Sequence, residues 1–215
     1  MRKAVSDRSE SATQLWPDGF RCAMAFTFDF DAEEVWIAEN PRNAERPGVL
    51  SQGTYGAKVG VPEILRVLDR AGVTATFFVP GRVAERHPER VDEIASAGHE
   101  LGHHGYTHAS PADMSPEDEE HELTKGLEVL RSFGVEVSGY RSPSWDHSPN
   151  TLDLLERHGL AYSSDFMDDI RPYRHEGSTI IEVPVQWILD DAPHFWFGID
   201  AGTKPIATTA HVRAL

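Results

Sequence analysis

Two aspartates at the end of an apolar run are the first side chains in this sequence whose types and spacing could do chemistry. The run from Cys22 to Phe28 has the length and composition of a strand buried on both faces of a parallel sheet. In an extended segment, Asp29 and Asp31 would project to the same side, about 6.6 Å apart along the chain. Because an ionised carboxylate at a buried strand end needs a partner, a metal ion or a reaction, we predict a functional role for both.

Paired histidines supply the next candidates. The sequence contains two pairs with four-residue spacing, His99/His103 and His104/His108. If the predicted strand holds residues 99–102, the first pair would span about 13 Å, which is too far to share an ion. The second lies in the following turn, where residues four apart in one helical turn approach within about 6 Å. We therefore predict His104 and His108 as metal ligands.

A carboxylate would complete this ligand set. Two histidines and one aspartate leave open positions on a zinc-like ion, as catalytic sites do. We prefer Asp31 as the third ligand, because Asp29 at the strand end could then act as a base. The reverse assignment, with Asp29 on the ion and Asp31 free, stays open on spacing alone. The set predicts a divalent metal, zinc first, although cobalt, nickel and iron suit the same ligands.

A second polar group follows the predicted strand 135–140. Arg141 could pair with a carboxylate and hold it ionised and oriented. The N–H of Ser144 could face the cleft as an oxyanion donor. Trp145 could wall the pocket or cap the barrel, and Asp191 could close one side of the cleft or lie in a solvated loop. The predicted substrate contacts are Ser144, Trp145, Tyr106 and Asp191.

Alternating strand and helix patterns would bring these residues together. Strands are predicted at 22–28, 73–79, 99–102, 135–140, 160–163 and 179–185, with helices at 61–71, 88–97, after Ser115 and after Ser148. The connection 32–57 is predicted as a long loop, functional or disordered. The alternation implies a parallel sheet with right-handed crossovers. The candidate residues at 29/31, 104/108, 141/145 and 168/169 follow successive strands, which is where α/β barrels place their chemistry.

Composition narrows the class of protein. The 215 residues suit one α/β domain, and the net charge of -15 argues against nucleic acid or an anionic membrane as a partner. Cys22 is the one cysteine, so an internal disulfide is excluded and a buried thiol is expected. No apolar run has membrane-spanning length. Residues 1–16 lack the apolar core of a secretory signal, so a cytoplasmic location is expected.

With these motifs the chain resembles the polysaccharide deacetylase family, also called NodB-homology or carbohydrate esterase family four. The resemblance rests on three motifs in family order: TFDFD at 27–31, HGYTH at 104–108 and RSPSW at 141–145. It is closest to the intracellular branch that contains the gastric-type peptidoglycan deacetylase and the cofactor-independent allantoinases. In that branch one residue separates the two aspartates, as it does here.

The resemblance implies a role for each motif residue. Asp29 would be the general base, Arg141 would tether it, and the ion would be held by Asp31, His104 and His108. It also implies a distorted, incomplete (β/α) barrel and often a homo-oligomer. The implied reaction is attack of an activated water on an amide carbonyl.

One family feature has no counterpart in this sequence. The family places a catalytic-acid histidine on a late strand, and no histidine up to residue 215 matches it. We expect three segments: a polar lead-in at 1–19, the deacetylase-like domain at 20–197 and an atypical tail at 198–215. The chain is therefore expected to be shortened, or to need a partner subunit to close its barrel.

Three functions follow from this reading. The first is metal-dependent N-deacetylation of an N-acetylated sugar or polysaccharide. The alternative within the same chemistry is hydrolysis of a small cyclic amide or ureide, of the allantoinase or imidase type. The third is a catalytically impaired homologue that acts as a binding protein, because the acid histidine is missing.

Overall fold

A seven-stranded sheet is the centre of the molecule. The computed structural model describes residues 18–195 and 207–213. The strands, in chain order, are β1 (Thr27–Asp29), β2 (Thr76–Val79), β3 (Glu100–His103), β4 (Gly139–Tyr140), β5 (Tyr162–Ser163), β6 (Tyr173–Arg174) and β7 (Ile181–Glu182). Their order in the sheet is β1-β2-β3-β4-β5-β7-β6, and all pairs are parallel except the β6–β7 hairpin. The predicted α/β architecture is confirmed. In the described part of the chain the barrel does not close, because the sheet ends at β1 and β6.

Helices connect the parallel strands. They are α1 (Glu34–Glu39), α2 (Pro47–Tyr55), α3 (Val61–Ala71), α4 (Gly81–Arg86), α5 (Pro88–Ser96), α6 (Pro116–Arg131), α7 (Thr151–Arg157), α8 (Ala192–Phe195) and α9 (Thr209–Val212). Local sequence explains several ends. The Ser115 hydroxyl accepts the Asp118 N–H at 3.2 Å and caps α6, as its sequence predicts. Gly72 ends α3 in the left-handed conformation, with φ 64°, which glycine adopts without a Cβ penalty.

The core lies between the central strands and the crossover helices. Phe77, Phe78 and Val79 of β2 have no exposed surface, as expected of a strand covered on both faces. Ile94 of α5 and Leu130 of α6 are equally buried against the sheet. Burying one such side chain contributes roughly 1.5–3 kcal/mol, so β2 and its helices form the rigid base from which the strand-end loops project.

The first strand differs from its prediction. Only Thr27–Asp29 pairs with β2, and the preceding residues, among them Met24, are largely exposed. Cys22 is exposed as well, so the prediction of a buried thiol is wrong. The physical reason is that β1 is an edge strand. Phe28 stacks on Phe77 of β2, but Cys22, Met24 and Phe26 before it are exposed.

The connection 32–57 is also not the loop that was predicted. It contains α1, a 3₁₀ turn at Pro41–Glu45 and α2. Pro41 and Pro47 were read as loop residues, yet each begins a helical turn, where a missing N–H costs nothing. Gly53 lets α2 lie directly on the chain after Asp31, because a Cβ there would overlap the Ala32 carbonyl. This segment packs behind a candidate metal ligand.

The remaining predicted elements are present, and each of their strands except β3 is shorter than predicted. The helices predicted at 61–71 and 88–97 correspond to α3 and α5. Helix α4 was missed, since Pro80-Gly81 reads as a stop, and the short β6 hairpin strand was missed too. Among the described residues no helix is long and apolar enough to cross a membrane. Most of the predicted lead-in and tail lies outside the described residues, apart from α9.

Candidate metal centre and active site

Three predicted ligands meet beyond the ends of β1 and β3. His104 Nε2 lies 3.5 Å from Asp31 Oδ1, and His108 Nε2 lies 3.5 Å from Asp31 Oδ2. One ligand atom from each of the three residues falls within 4.8 Å of the others. The parallel pairing of β1 with β2 and β2 with β3 produces this approach, because it aligns their carboxyl ends at one edge.

The chemistry of this group fits a divalent ion. Two ligand atoms about 2.1 Å from one tetrahedral ion lie about 3.4 Å apart, close to the observed His–Asp separations. Asp31 Oδ1 is buried and receives no hydrogen bond from any described residue. His104 Nδ1 lies 2.7 Å from the Arg141 carbonyl. Because a carbonyl only accepts, Nδ1 carries the proton and Nε2 keeps a lone pair for the ion.

The charges within this group favour an ionised Asp31. Burial opposes ionisation of Asp31, but His108, His104 and Arg141 together hold the pKa of its carboxyl below the usual value. Burial likewise disfavours protonated His108, yet the Asp31 carboxylate raises the pKa of that imidazole. Asp31 is thus held as an anion, which is the form that binds a cation.

The other aspartate has a different partner. Arg141 Nη1 donates to Asp29 Oδ1 at 2.8 Å and to Thr27 Oγ1 at 3.1 Å. The Arg141 side chain is only 4% exposed, and its guanidinium carbon lies 4.3 Å from the centre of the Phe78 ring. A planar guanidinium stacked on an aromatic face has little freedom to move. It therefore fixes the direction of the Asp29 carboxylate.

Ser164 completes the environment of the arginine. Its carbonyl accepts Arg141 Nε–H at 3.1 Å, and its hydroxyl accepts Nη2–H at 2.8 Å. Ser164 directly follows β5, and sequence reasoning missed it. Its position past a strand end was the available signal, but serine is common in such turns and the residue stood out in no motif.

The turn after Arg141 is anchored from the same strand end. Asp165 Oδ1 accepts the Ser142 N–H at 2.7 Å, and Oδ2 lies 2.8 Å from His147 Nε2. Burial raises the pKa of Asp165 above its usual value. Glu182 in turn accepts the Asp165 N–H at 2.6 Å. These buried groups hold the Arg141 turn in place from behind.

Asp168 and Asp169, which were predicted to follow the same strand ends, have hydrogen-bond partners within the segment that leads to β6. Asp168 accepts a hydrogen bond from the Tyr173 hydroxyl, and Asp169 accepts from backbone N–H groups of its own loop. Both are exposed. β5 ends at Ser163, as predicted, and the residues directly after it that reach the Arg141 turn are Ser164 and Asp165.

The predicted substrate contacts lie in three places. Ser144 and Trp145 have φ values of 64° and 55°, a strained conformation for non-glycine residues that is found at functional turns. Trp145 packs against Trp187, with ring centres 4.4 Å apart. Tyr106 is tied to α4, because its hydroxyl donates to Glu85 at 3.0 Å.

The loop that carries Asp191 approaches the site through its neighbour. Burial raises the pKa of Asp190, and repulsion from Asp191 and Asp29 adds to this. Asp191 is exposed and stands before α8. A role for Asp191 in substrate binding stays a prediction.

Comparison with known proteins gives the family. A peptidoglycan deacetylase from Helicobacter pylori is 30% identical over 201 residues, covering 81% of this chain and 68% of that protein. The family model described as Polysaccharide deacetylase matches residues 53–163. The chain belongs to the polysaccharide deacetylase family. The resemblance drawn from the three motifs is confirmed.

Solved structures of similar chains agree with the fold. The crystal structure of a Mycobacterium smegmatis protein described as a polysaccharide deacetylase is 45% identical, with a TM-score of 0.88. It covers 92% of this chain, which spans 70% of that one. Puue allantoinase is 22% identical, with a TM-score of 0.74, and the match covers 85% of this chain and 68% of the allantoinase chain. At that identity the likeness shows a shared fold alone.

The family match extends over only part of some relatives. The chain spans 59% of a peptidoglycan deacetylase-like protein from Gibberella zeae. It spans 43% of a Bacillus cereus peptidoglycan-N-acetylglucosamine deacetylase, at 30% identity over 142 residues and 66% of this chain. The chain therefore spans less than two thirds of the length of each of these two relatives.

Proposed function

We propose that this chain is a divalent-metal-dependent hydrolase of carbon–nitrogen bonds that removes the acetyl group from an N-acetylated sugar or polysaccharide. One observation carries the proposal: a three-residue metal-ligand group stands beside a second carboxylate that a buried arginine holds. Relatives described as deacetylases of peptidoglycan in Helicobacter pylori and of chitooligosaccharide in Sinorhizobium fredii support the substrate class.

The ligand group would hold the ion. Asp31, His104 and His108 would each donate one atom, leaving positions for water and substrate. We propose zinc as the resident metal, since imidazole and carboxylate ligands suit it. A bound divalent ion supplies Lewis-acid polarisation of the amide carbonyl and lowers the pKa of a water molecule.

Asp29 would accept the proton from the attacking water. Its side chain is 26% exposed, so solvent reaches it, whereas the Arg141 that orients it is buried. Arg141 engages Oδ1, and Oδ2 would take the proton. In this proposal Asp29 is the base and Asp31 is the metal ligand.

The strained turn would face the substrate. We propose that the Ser144 N–H stabilises negative charge on the reacting carbonyl oxygen, as oxyanion donors do. Trp145, braced by Trp187, would form an apolar wall beside it. Substrate contacts from Tyr106 and Asp191, a homo-oligomeric assembly and a cytoplasmic location stay predictions of the sequence.

Product analysis distinguishes the candidate functions. The zinc-loaded protein should release acetate from chitooligosaccharides and from N-acetylated glycan strands. Ring opening of a hydantoin-like amide without acetate would instead favour the cyclic-amide hydrolases. Zinc binding without turnover of either substrate would favour a binding protein.

Replacement of the proposed base gives the sharpest single test. Asp29→Asn removes the proton acceptor but keeps a side chain of the same size, so turnover should fall by about 10²–10⁴-fold. Zinc affinity, measured by chelator competition, should stay close to that of the wild type. Asp69→Asn, at an exposed position on α3, serves as a control with unchanged turnover. Retained activity in Asp29→Asn would refute the role of the base.

A further inference from the structure

The loop that carries both histidine ligands is fastened to α6 by one carboxylate. We infer that Glu122 is a positioning residue for the metal centre: it holds residues 106–107 so that His108 reaches the ion beside Asp31. This inference rests on the proposed metal-dependent function. Glu122 lies outside the three motifs. Its hydrogen bonds are to Tyr106 and Thr107, not to the atoms that would bind the ion.

Glu122 accepts three hydrogen bonds from this loop. Its Oε2 accepts the N–H of Tyr106 at 2.9 Å and the N–H of Thr107 at 2.7 Å. Its Oε1 accepts the Thr107 hydroxyl at 2.9 Å. Bonds to an ionised acceptor are stronger than neutral ones, so one half-buried side chain fixes two consecutive peptide groups.

Other contacts hold the loop through its carbonyl groups, the Tyr106 side chain and His103, and not through the N–H groups of residues 106 and 107. His103 Nδ1 accepts the Gly105 N–H at 3.1 Å, while its Nε2 faces the Leu123 carbonyl at 3.1 Å. The Gly81 N–H donates to the Gly105 carbonyl, and the Arg82 N–H donates to that of Tyr106. The N–H groups of residues 106 and 107 both donate to Glu122.

The next residue in the chain is the ligand. His108 follows Thr107 directly and has a φ of 59°, an uncommon value for a residue with a Cβ. Such a conformation persists only where its surroundings determine it. The two anchored peptide groups before His108 supply that constraint. The side chain of His108 is thereby directed at Asp31, with Nε2 3.5 Å from Oδ2.

The anchor should act on metal affinity through geometry. Groups that orient metal ligands typically contribute about 10–100-fold in affinity or activity. Glu122→Ala removes the acceptor of all three bonds from Tyr106 and Thr107 and should weaken Zn²⁺ binding by about that factor. Glu122→Gln removes the charge but keeps the bonds: its amide oxygen can accept both N–H groups, and its amide nitrogen can donate to the Thr107 hydroxyl.

The experiment measures Zn²⁺ dissociation constants by chelator competition in the full chain. Wild type, Glu122→Ala, Glu122→Gln and Glu128→Ala are compared, together with the thermal unfolding of each metal-free protein. Glu128 lies on the same helix, is 72% exposed and forms a surface ion pair with Lys125. The expected result is weak binding by Glu122→Ala and near-wild-type binding by Glu122→Gln and Glu128→Ala.

Two results would overturn the inference. Wild-type affinity in Glu122→Ala would show that the loop needs no anchor, and equal weakening in both Glu122 variants would show that hydrogen bonding is not the cause. Absence of Zn²⁺ binding by the wild type would instead refute the metal centre in the proposed function. The two failures are therefore distinguishable.

A milder pair of variants covers the case in which Glu122→Ala does not fold. Thr107→Val removes one of the three bonds without changing the helix, and Thr107→Ser keeps that bond. The valine variant should bind Zn²⁺ several-fold more weakly than the serine variant. Equal affinity of the two would contradict the inference.

Discussion

At the scale of single residues, the site gives different partners to two aspartates that lie only two positions apart in the chain. Arg141 pairs with Asp29, while two histidine nitrogens lie beside Asp31. Each carboxylate therefore has a distinct electrostatic environment, although one residue lies between them. Distinct partners are what allow neighbouring carboxylates to take different roles in one reaction.

The arginine that makes this distinction depends on Ser164. Ser164→Ala removes the acceptor of Arg141 Nη2–H and leaves that buried donor without its partner. We expect a loss of about 1–3 kcal/mol in the free energy of unfolding, measured in urea. Turnover should fall as well, because Asp29 loses its fixed support. Ser51→Ala, at an exposed position, should change the stability by less than about 0.5 kcal/mol.

At the scale of elements, the helices after β1 support the segment that carries Asp31, the proposed metal ligand. Glu33 accepts the Thr54 hydroxyl at 2.6 Å and lies 2.8 Å from His87 Nε2, so it links α2 to the end of α4. Arg86 lies 2.7 Å from the fully buried Glu34. These contacts hold the chain just beyond Asp31. A helix in this connection therefore has a positional role that its loop-like sequence does not suggest.

Two glycine-to-alanine variants in this region, at Gly53 and Gly56, would test the close packing of α2. Gly53→Ala would place a Cβ against the Ala32 carbonyl and 2.7 Å from Glu33 Cα. We expect a loss of stability of about 1–3 kcal/mol from overpacking, and weaker zinc binding because Asp31 is displaced. Urea unfolding and chelator competition measure the two effects.

Gly56→Ala is the matched control. Gly56 follows α2 with a helical φ of -54°, and nothing lies within 4 Å of a Cβ there. The alanine variant should be as stable as the wild type or up to about 1 kcal/mol more stable, because it restricts the unfolded chain. Equal destabilisation of both variants would mean that contact with Ala32 is not the cause.

At the scale of the whole molecule, the metal should couple to folding. A ligand that binds only the native state, at about 100 times its dissociation constant, stabilises by about 2.7 kcal/mol. For a chain of this size we expect zinc to raise the midpoint of thermal unfolding by about 5–11 °C. His108→Ala should abolish the shift, and His121→Ala, at an exposed position, should retain it. A shift that survives in His108→Ala would place the bound zinc elsewhere.

The open sheet is the other feature of this scale. In the described residues β1 has one neighbour, and Phe20 and Met24 beside it are 68% and 78% exposed. Exposed edge strands with apolar flanks are prone to pair with other chains. This is consistent with the prediction of a homo-oligomer, which size measurement in solution would test.

Much of this protein could be predicted from the sequence because the relevant signals are local. Helix caps such as Ser115 and Gly72 depend on neighbouring residues, and the α/β order follows from apolar periodicity. The three motifs identified the family and placed its polar residues after strands. Spacing also excluded His99 with His103 as a metal pair, and the group found in the described residues contains neither.

Only the tertiary structure decided the features that depend on residues far apart in the chain. Spacing left both aspartates open as ligands, and the partner of Asp29 lies more than a hundred residues away, at Arg141. The supports at Ser164 and Glu122 likewise act across long sequence separations. The exposure of Cys22 reflects which elements cover β1, and no local pattern records that. Side-chain type and spacing determined the chemistry, and packing determined which atoms meet.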